Sequence, residues 1–224
     1  MFKEKHNCFK RDKSEIRILK SEIEMIYDKF AKGYDKACAP FEKRFLSRWR
    51  AETLSFLPEN ARILEIGAGT GANFKFYPPA ECAVASEISI KMLEIARRKT
   101  VEIKLLQANA ESLPFAANTF DAAFATLVFC SLPNPQNAFA ELKRIVAPGG
   151  VIVLLEHVRP AGLTGYFFDF LNIFTVRLIE DHFNRQTAKL AEDSGLKVLE
   201  VRRKAFGIIN LIVCENDKEE VSHE

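Results

Sequence analysis

A glycine-rich turn directly after a short apolar run is the feature of this sequence that most restricts its fold. Residues 63–66 are Ile-Leu-Glu-Ile, and Gly67, Gly69 and Gly71 follow at alternate positions. This pattern predicts a buried strand ending in a tight turn, where the missing Cβ atoms permit positive φ and let a ligand approach the backbone. The G-x-G-x-G spacing differs from the G-x-G-x-x-G of dinucleotide sites, and no P-loop Lys follows. The turn therefore favours a nucleoside ligand without a pyrophosphate, with an ordinary strand-to-helix turn as the alternative.

An acidic residue at the end of the next predicted strand supports the nucleoside interpretation. Residues 82–87 predict another buried strand, and its last residue, Glu87, lies 20 positions after Gly67. In Rossmann-like folds an acidic residue at this place accepts hydrogen bonds from the ribose. An ionised carboxylate only accepts hydrogen bonds, so it can hold both hydroxyls of a cis-diol. Both features suit a nucleoside ligand such as S-adenosylmethionine.

The alternation of strand and helix patterns predicts the fold class. Strands are expected at about 62–66, 82–87, 101–107, 120–126 and 151–156, and helices at about 71–77, 89–98 and 135–146. This order implies parallel strands with right-handed crossovers. The last two strands, 196–201 and 208–214, are joined too closely for a crossover, so the last strand is expected to be antiparallel. The prediction is an α/β fold with a Rossmann-like, doubly wound seven-stranded sheet of six parallel strands and an antiparallel last strand.

The first 60 residues predict an N-terminal helical cap in front of this sheet domain. Apolar residues recur every three or four positions in residues 16–30, and a second amphipathic helix is expected at 41–57. Gly33 and Pro40 are expected to break the helical pattern between them. The cap comprises residues 1–60, the sheet domain with the proposed nucleoside site comprises residues 61–216, and a mobile charged tail is expected at 217–224.

Charge is distributed unevenly, although the net charge is only +2. Residues 1–50 hold 14 Lys+Arg and 8 Asp+Glu, a net of +6, which is either a solvated face or a contact for an anionic membrane surface. No run has the roughly 18 apolar residues of a membrane span. The five cysteines are scattered without CxxC or metal-ligand spacing, which favours reduced thiols, a cytoplasmic protein and no metal site. The overall balance argues against a nucleic-acid partner.

The motifs, taken together, resemble class I S-adenosylmethionine-dependent methyltransferases that act on small molecules. They are the turn at 65–71, Glu87, Asn-Ala-Glu-Ser-Leu-Pro-Phe at 109–115, Phe-Asp at 120–121 and Ala-Pro-Gly-Gly at 147–150. Segments 71–79, 127–131, 156–158 and 184–187 are similar to microsomal thiol methyltransferases and, less closely, to bacterial phosphatidylethanolamine N-methyltransferases and quinone-biosynthesis methyltransferases. The microsomal relatives begin with a hydrophobic anchor, whereas this sequence begins with charged residues, so we expect peripheral membrane contact at most.

The resemblance implies a set of cofactor contacts along the carboxyl edge of the sheet. They are Glu65, Gly67, Gly69 and Gly71 for the methionine part, Glu87 for the ribose, Ile88 and Met92 for the adenine faces, Asn109 and Ala110 for the adenine edge, and Thr126 as a further wall of the crevice. Many relatives carry Asp in place of Asn109. An amide can still accept from the exocyclic amine and donate to a ring nitrogen.

Acceptor residues are expected on loops at the same edge of the sheet. His157, after the fifth strand, either orients and deprotonates the acceptor or is a structural histidine. In this family an N-terminal helix often closes over the cofactor, and Tyr34 is the expected contact, with packing of the cap as the alternative. The aromatic-rich segment 163–183 either packs into the core or covers an apolar acceptor pocket. Further polar contacts are expected from Asp181, His182, Asn184 and Arg185.

The sequence therefore predicts an enzyme that transfers a methyl group from S-adenosylmethionine to a small lipophilic or amphipathic acceptor. A thiol or a phospholipid amine is preferred as acceptor, and a quinone precursor comes next. In such a reaction the protein mainly aligns donor and acceptor and excludes water. A non-catalytic nucleoside-binding protein on the same scaffold is the alternative from another class. A nicotinamide-dependent oxidoreductase is disfavoured by the glycine spacing.

Overall fold

The computed structural model describes residues 22–157 and 186–218, which form an N-terminal helical layer and one sheet. Helix α1 spans Glu22–Phe41 and is followed by a π-helical turn at Glu42–Leu46. The other helices are α2 at Ser47–Leu54, α3 at Ile90–Ala96, α4 at Pro135–Ile145 and α5 at Thr187–Asp193. The strands are β1 at Ala61–Ile66, β2 at Ala80–Glu87, β3 at Lys104–Gln107, β4 at Phe120–Thr126, β5 at Val146–His157, β6 at Lys197–Lys204 and β7 at Ile209–Glu215. The aromatic segment 163–183 and the candidates Asp181, His182, Asn184 and Arg185 lie outside the described residues.

The seven strands form a single sheet in the order β3-β2-β1-β4-β5-β7-β6. Strands β1 to β5 pair in parallel, and β7 runs antiparallel to both β5 and β6. Six strands therefore share one direction and β7 opposes them, which confirms the predicted fold class. The strand order reverses between β1 and β4, and ligands of such sheets bind in the crevice outside the carboxyl ends at this point.

Both faces of the sheet are covered by apolar side chains, as the largely apolar strand sequences require. On one face α4 buries Phe139 and Leu142 against Phe129 and the sheet. On the other face α2 and the turn after it bury Leu54 and Leu57 against strands β1, β4 and β5. The carboxyl ends of β1, β2 and β4 are thereby fixed within a close-packed core.

Two expectations about the helices are wrong. Instead of a helix at 71–77 the structure has turns and a short 3-10 segment at Phe74–Phe76. Helix α1 runs through Gly33 and up to Pro40 without a break and continues as the π-helical turn. A single glycine costs a helix only about 1 kcal/mol, which tertiary contacts of α1 can offset. The proline lies in the last turn of α1, where the next segment already changes its hydrogen-bond spacing.

Other global expectations concern membrane spans, metals and thiols. Within the described residues no helix is long and apolar enough to cross a bilayer, and no group of His, Cys, Asp and Glu has the geometry of a metal site. Cys38, Cys130 and Cys214 are free thiols. Cys82, in contrast, is disulfide-bonded, so the expectation of reduced thiols is wrong for this residue. Spacing along the chain does not determine which sulfur atoms meet in the fold.

Candidate functional site

The glycine turn after β1 has the positive φ values that its sequence predicts. Gly67, Gly69 and Gly71 have φ values of 66°, 54° and 82°. A Cβ on Gly67 would overlap the side chain of Val128, so a larger residue has no room there. A Cβ on Gly69 would meet nothing within 4 Å, which leaves its backbone open to a ligand. The turn is thus tight on the protein side and open on the crevice side.

Glu87, the last residue of β2, is held in place by backbone donors. Its Oε2 accepts a hydrogen bond from the Gly69 N–H at 2.8 Å, and its Oε1 accepts one from the Ser89 N–H at 2.9 Å. Burial raises the pKa of Glu87, and these two N–H groups lower it in part. Each carboxylate oxygen has a further lone pair for a hydroxyl, so the geometry fits a ribose diol at this position.

A cavity of about 140 Å³ lies at the carboxyl ends of β1, β2 and β4, and we call it the sheet-edge cavity. It contains nine of the twelve predicted site residues, which are Tyr34, Gly67, Gly69, Glu87, Ile88, Met92, Asn109, Ala110 and Thr126. The structure thus brings the residues expected for ribose, adenine and methionine around one space. Their roles as ligand contacts stay predictions.

Glu65 lies beneath this cavity and is not among its lining residues. Its Oε1 accepts a hydrogen bond from Asn73 Nδ2 at 2.6 Å, and its Oε2 accepts one from Tyr77 Oη at 2.7 Å. Burial raises the pKa of Glu65 to about 7, although these two donors and the charge of Arg50 act in the opposite direction. The contacts of this carboxyl group are therefore within the protein.

A second, more open cavity of about 1060 Å³ lies between α1, the π-helical turn and the sheet edge, and we call it the outer cavity. Gly71 and His157, which the sheet-edge cavity does not include, line its wall. Its lining is mostly apolar, with Phe30 and Phe41 from α1. The two cavities share Tyr27, Tyr34, Arg50, Thr70, Ala72 and Leu127. A molecule in one is therefore adjacent to a molecule in the other.

Helix α1 is attached to the sheet edge by a repeated Tyr-Asp pair. Asp28 accepts a hydrogen bond from Ser89 Oγ at 2.6 Å, and Asp35 accepts one from Thr70 Oγ1 at 2.5 Å. Seven residues are about two helical turns, so both pairs lie on the same side of α1. The tyrosines of both pairs line the cavities, and Tyr27 is hydrogen-bonded to Ser131 through the hydroxyl groups at 2.9 Å. Helix α1 therefore forms one wall of the sheet-edge cavity.

Arg50 on α2 is a site residue that the sequence analysis missed. It is 7% exposed and lines both cavities. Its Nη1 donates to Thr126 Oγ1 at 2.5 Å and to Asn73 Oδ1 at 3.0 Å, and its Nε donates to Glu42 Oε2 at 3.1 Å. Its position four residues after Leu46 and four before Leu54 puts it on the apolar face of the helix. A cation on that face is the sequence signal for a buried arginine.

Comparisons with known proteins agree with this geometry. Residues 64–154 match a family described as a methyltransferase domain. Demethylmenaquinone methyltransferase of Renibacterium salmoninarum is 30% identical over 162 residues, which are 70% of this chain and 66% of that protein. Thiol S-methyltransferase TMT1B of Homo sapiens is 29% identical over 153 residues, 63% of this chain and 62% of that protein. The chain thus spans 62 to 66% of the length of these two relatives.

A solved structure shows the same fold. The structure of an S-adenosylmethionine-dependent methyltransferase from Thermotoga maritima superposes with a TM-score of 0.68, covering 88% of this chain and all of that chain at 22% identity. At this identity the likeness concerns the fold alone. The matched domain, the relatives and the strand order agree with one another, and together they show a methyltransferase domain built on a Rossmann-like sheet.

Proposed function

We propose that the chain transfers a methyl group from S-adenosylmethionine to a small lipophilic acceptor. The observation that carries this proposal is the adjacency of two unlike cavities. The sheet-edge cavity has a glycine turn and a buried Glu87, which suit a nucleoside, and the outer cavity has a largely apolar wall. Tyr34 and Thr70 border both. A donor in the first and an acceptor in the second would meet at this boundary.

The residues have separate tasks in this reaction. The bound cofactor supplies an electrophilic methyl group on a sulfonium. Glu87 and Gly69 hold the nucleoside, and α1 shields the boundary between the cavities from water. His157 lies on the wall of the outer cavity, where an imidazole can take the proton that a thiol or an ammonium must lose.

The acceptor that we propose first is a thiol or a phospholipid amine. Support comes from the apolar outer cavity and from the similarity to thiol S-methyltransferase TMT1B. A quinone precursor is the second candidate, because the similarity to demethylmenaquinone methyltransferase covers slightly more of the chain. Both acceptor types are lipophilic, so the cavity lining does not separate them.

An acceptor panel tests the proposal. The purified chain is incubated with S-adenosylmethionine and with an alkyl thiol, a phosphatidylethanolamine or a demethylated quinol, and the release of S-adenosylhomocysteine is measured. We expect turnover with one acceptor class, and we expect His157→Gln to lower it most at the acidic end of the pH profile. Binding of S-adenosylmethionine without turnover on any acceptor would favour the non-catalytic nucleoside-binding protein instead.

We further propose peripheral contact of the helical layer with an anionic membrane surface. Four large apolar side chains are exposed there, namely Met25, Phe30, Phe41 and Phe45. They are accompanied by the exposed basic residues Lys29, Lys32, Lys36, Lys43, Arg44 and Arg48. Apolar side chains among Lys and Arg suit the interface of an anionic bilayer. Phe30 and Phe41 also line the outer cavity, so a lipophilic acceptor could enter from the bilayer.

Co-sedimentation with vesicles tests this contact. We expect binding to vesicles with phosphatidylserine at low salt, weaker binding at high salt, and none to neutral phosphatidylcholine vesicles. The double variant Phe41→Ser/Phe45→Ser should lose binding. The matched control Leu199→Ser/Val201→Ser removes two exposed apolar side chains of β6, far from this surface in the sheet order, and should retain it. Equal loss in both variants, or no binding at either salt concentration, would refute the contact.

A further inference from the structure

Arg50 reaches the sheet-edge cavity from the helical layer and not from the sheet. Its guanidinium is buried, and it stands beside Thr126 at the end of β4. Burial of a cation is costly unless hydrogen bonds and negative charge compensate it. Glu42 supplies negative charge at 3.1 Å on the Nε side, and the position of Arg50 on the cavity wall lets it attract a further anionic group from the cavity.

The hydrogen bonds of Arg50 leave part of its donor set available. Within the described residues its Nε and Nη1 donate to Glu42, Asn73 and Thr126, and its Nη2 takes part in no hydrogen bond. A guanidinium presents five N–H donors in a rigid fork, so the two on Nη2 can bind a ligand in the cavity. The three existing partners fix the orientation of that fork.

The sheet order shows which part of the cofactor meets Arg50. Strand β1 lies between β2 and β4, and neighbouring strands are about 4.8 Å apart, so the ends that carry Glu87 and Thr126 are about 10 Å apart. A nucleoside whose ribose binds Glu87 and extends across the glycine turn brings its 5′ substituent towards Thr126. In S-adenosylmethionine this substituent is the methionyl group, which ends in an ammonium and a carboxylate.

We infer that Arg50 binds the α-carboxylate of S-adenosylmethionine through Nη2. Of the three charged groups of the methionyl part, only the carboxylate attracts a guanidinium, and arginine is well suited to it. The inference rests on the proposed function, because it takes S-adenosylmethionine as the ligand. It makes the helical layer part of the cofactor site, since α2 would hold the amino acid end while the sheet holds the nucleoside end.

Decarboxylated S-adenosylmethionine isolates this contact, because it keeps the adenosine, the sulfonium and the amine and lacks only the carboxylate. We expect the wild-type chain to bind S-adenosylmethionine about 10- to 100-fold more tightly than the decarboxylated compound in calorimetry. Arg50→Met should remove this preference and leave the affinity for the decarboxylated compound unchanged. Arg50→Lys should retain part of it. Arg48→Met, an exposed arginine two residues earlier, is the matched control and should retain it fully.

The alternative outcomes are distinct. A purely structural role for Arg50 would weaken both ligands by the same factor in Arg50→Met, and this result would overturn the inference. Absence of a preference in the wild-type chain would overturn it as well, and would do so even if Arg50→Met does not fold. If the wild-type chain binds neither compound, the proposed function itself is wrong. Thermal unfolding of each variant checks that the compared proteins are folded.

Discussion

The sheet edge and the helical layer form opposite walls of the sheet-edge cavity, and they are held in place differently. On the sheet wall the turn after β1 and the backbone N–H groups at Gly69 and Ser89 fix Glu87. On the helical wall α2 is packed on the core through Leu54, and side-chain hydrogen bonds attach α1 and the cavity side of α2 to the sheet edge. These join Asp28 to Ser89, Asp35 to Thr70, Tyr27 to Ser131 and Arg50 to Thr126.

This difference indicates how each wall responds to perturbation. Strand register and close packing over-determine the sheet wall, so changes there act on the binding site as a whole. A side-chain hydrogen bond contributes only about 1 kcal/mol, so the helical wall can lose one attachment and keep the others. We expect steep losses from substitutions in the sheet wall and graded losses from substitutions in the helical wall.

The largest effect is expected from Gly67→Val in the sheet wall. Gly67 has a φ of 66°, and a side chain there would overlap Val128. Strain and overpacking each cost about 1 to 3 kcal/mol, so S-adenosylmethionine should bind about 100-fold more weakly or not at all. Calorimetry measures this. Gly33→Ala in α1 is the control, because a Cβ there meets nothing within 4 Å, and its affinity should equal that of the wild-type chain. If Gly67→Val and Gly33→Ala bind S-adenosylmethionine with equal affinity, the sheet wall is not the more sensitive of the two walls.

The next effect concerns the pH dependence of stability and Glu65 beneath the sheet wall. Its pKa is raised from 4.5 to about 7, so the folded chain binds this proton more tightly than the unfolded chain. Stability should therefore fall as pH rises from about 4.5 to about 7, by about 3 kcal/mol at 1.36 kcal/mol per pKa unit. In Glu65→Gln this fall should be much smaller, because the amide stays neutral and the Tyr77 hydroxyl can turn to accept from it.

Urea unfolding at pH 5 and pH 8 measures the difference. Glu94→Gln, an exposed glutamate on α3, is the control and should keep the wild-type pH dependence. Burial also raises the pKa of Glu87, so a residual fall in the same direction is expected in Glu65→Gln. If Glu65→Gln and the wild-type chain lose equal stability over this interval, Glu65 does not hold a proton in the folded state.

Glu87→Gln should have an intermediate effect on cofactor binding. The amide would direct an NH₂ group at one of the two backbone N–H donors, at Gly69 or Ser89, and lose a ribose acceptor. We expect Glu87→Gln to bind S-adenosylmethionine about 10- to 100-fold more weakly, and to bind the decarboxylated form more weakly by the same factor. This uniform loss is the opposite of the selective loss expected for Arg50→Met. Glu102→Gln, exposed before β3, is the control, and a ligand-selective loss in Glu87→Gln would show that its role is not the ribose.

The sheet wall could be predicted from the sequence because its signals are local. The strand before the glycine turn, the turn itself and the acidic end of β2 are each contained in a few consecutive residues. The antiparallel last strand followed from the short connection before Ile209. Of the nine predicted site residues that line the sheet-edge cavity, eight lie at or shortly after a strand end and do so for this reason, whereas Tyr34 lies on α1 and was expected from the resemblance.

The helical wall and the surroundings of Glu65 could not be predicted in this way. Asp28 and Ser89 are 61 residues apart in sequence, and Arg50 and Thr126 are 76 apart. Such pairs form only after the helices have packed on the sheet, so no pattern within one segment indicates them. Glu65 was expected at the cofactor by resemblance alone, whereas the turns that follow bring Asn73 and Tyr77 back to its carboxyl group.

The smallest effect is expected from the two attachments of α1. Asp28→Asn weakens the contact with Ser89 and Lys91, and Asp35→Asn removes the ion pair with Lys99. Burial acts to raise the pKa of Asp35, but the hydrogen bonds from Lys99 and Thr70 outweigh burial and hold this pKa below its usual value. The carboxylate is therefore charged at neutral pH, and the substitution removes that charge. Each variant should bind S-adenosylmethionine only about two- to fivefold more weakly, since exposed ion pairs contribute less than about 1 kcal/mol.

Hydrogen exchange separates this graded loss from a general loss of stability. We expect faster exchange of α1 amides in either variant, faster still in the double variant, and unchanged exchange in β1 and β4, because local opening of α1 leaves the sheet intact. Asp193→Asn removes a similar surface ion pair with Lys189 on α5 and should change neither α1 exchange nor affinity. Faster exchange in β1 together with α1 would mean that the two walls open as one unit, and the independence of the helical wall would then be refuted.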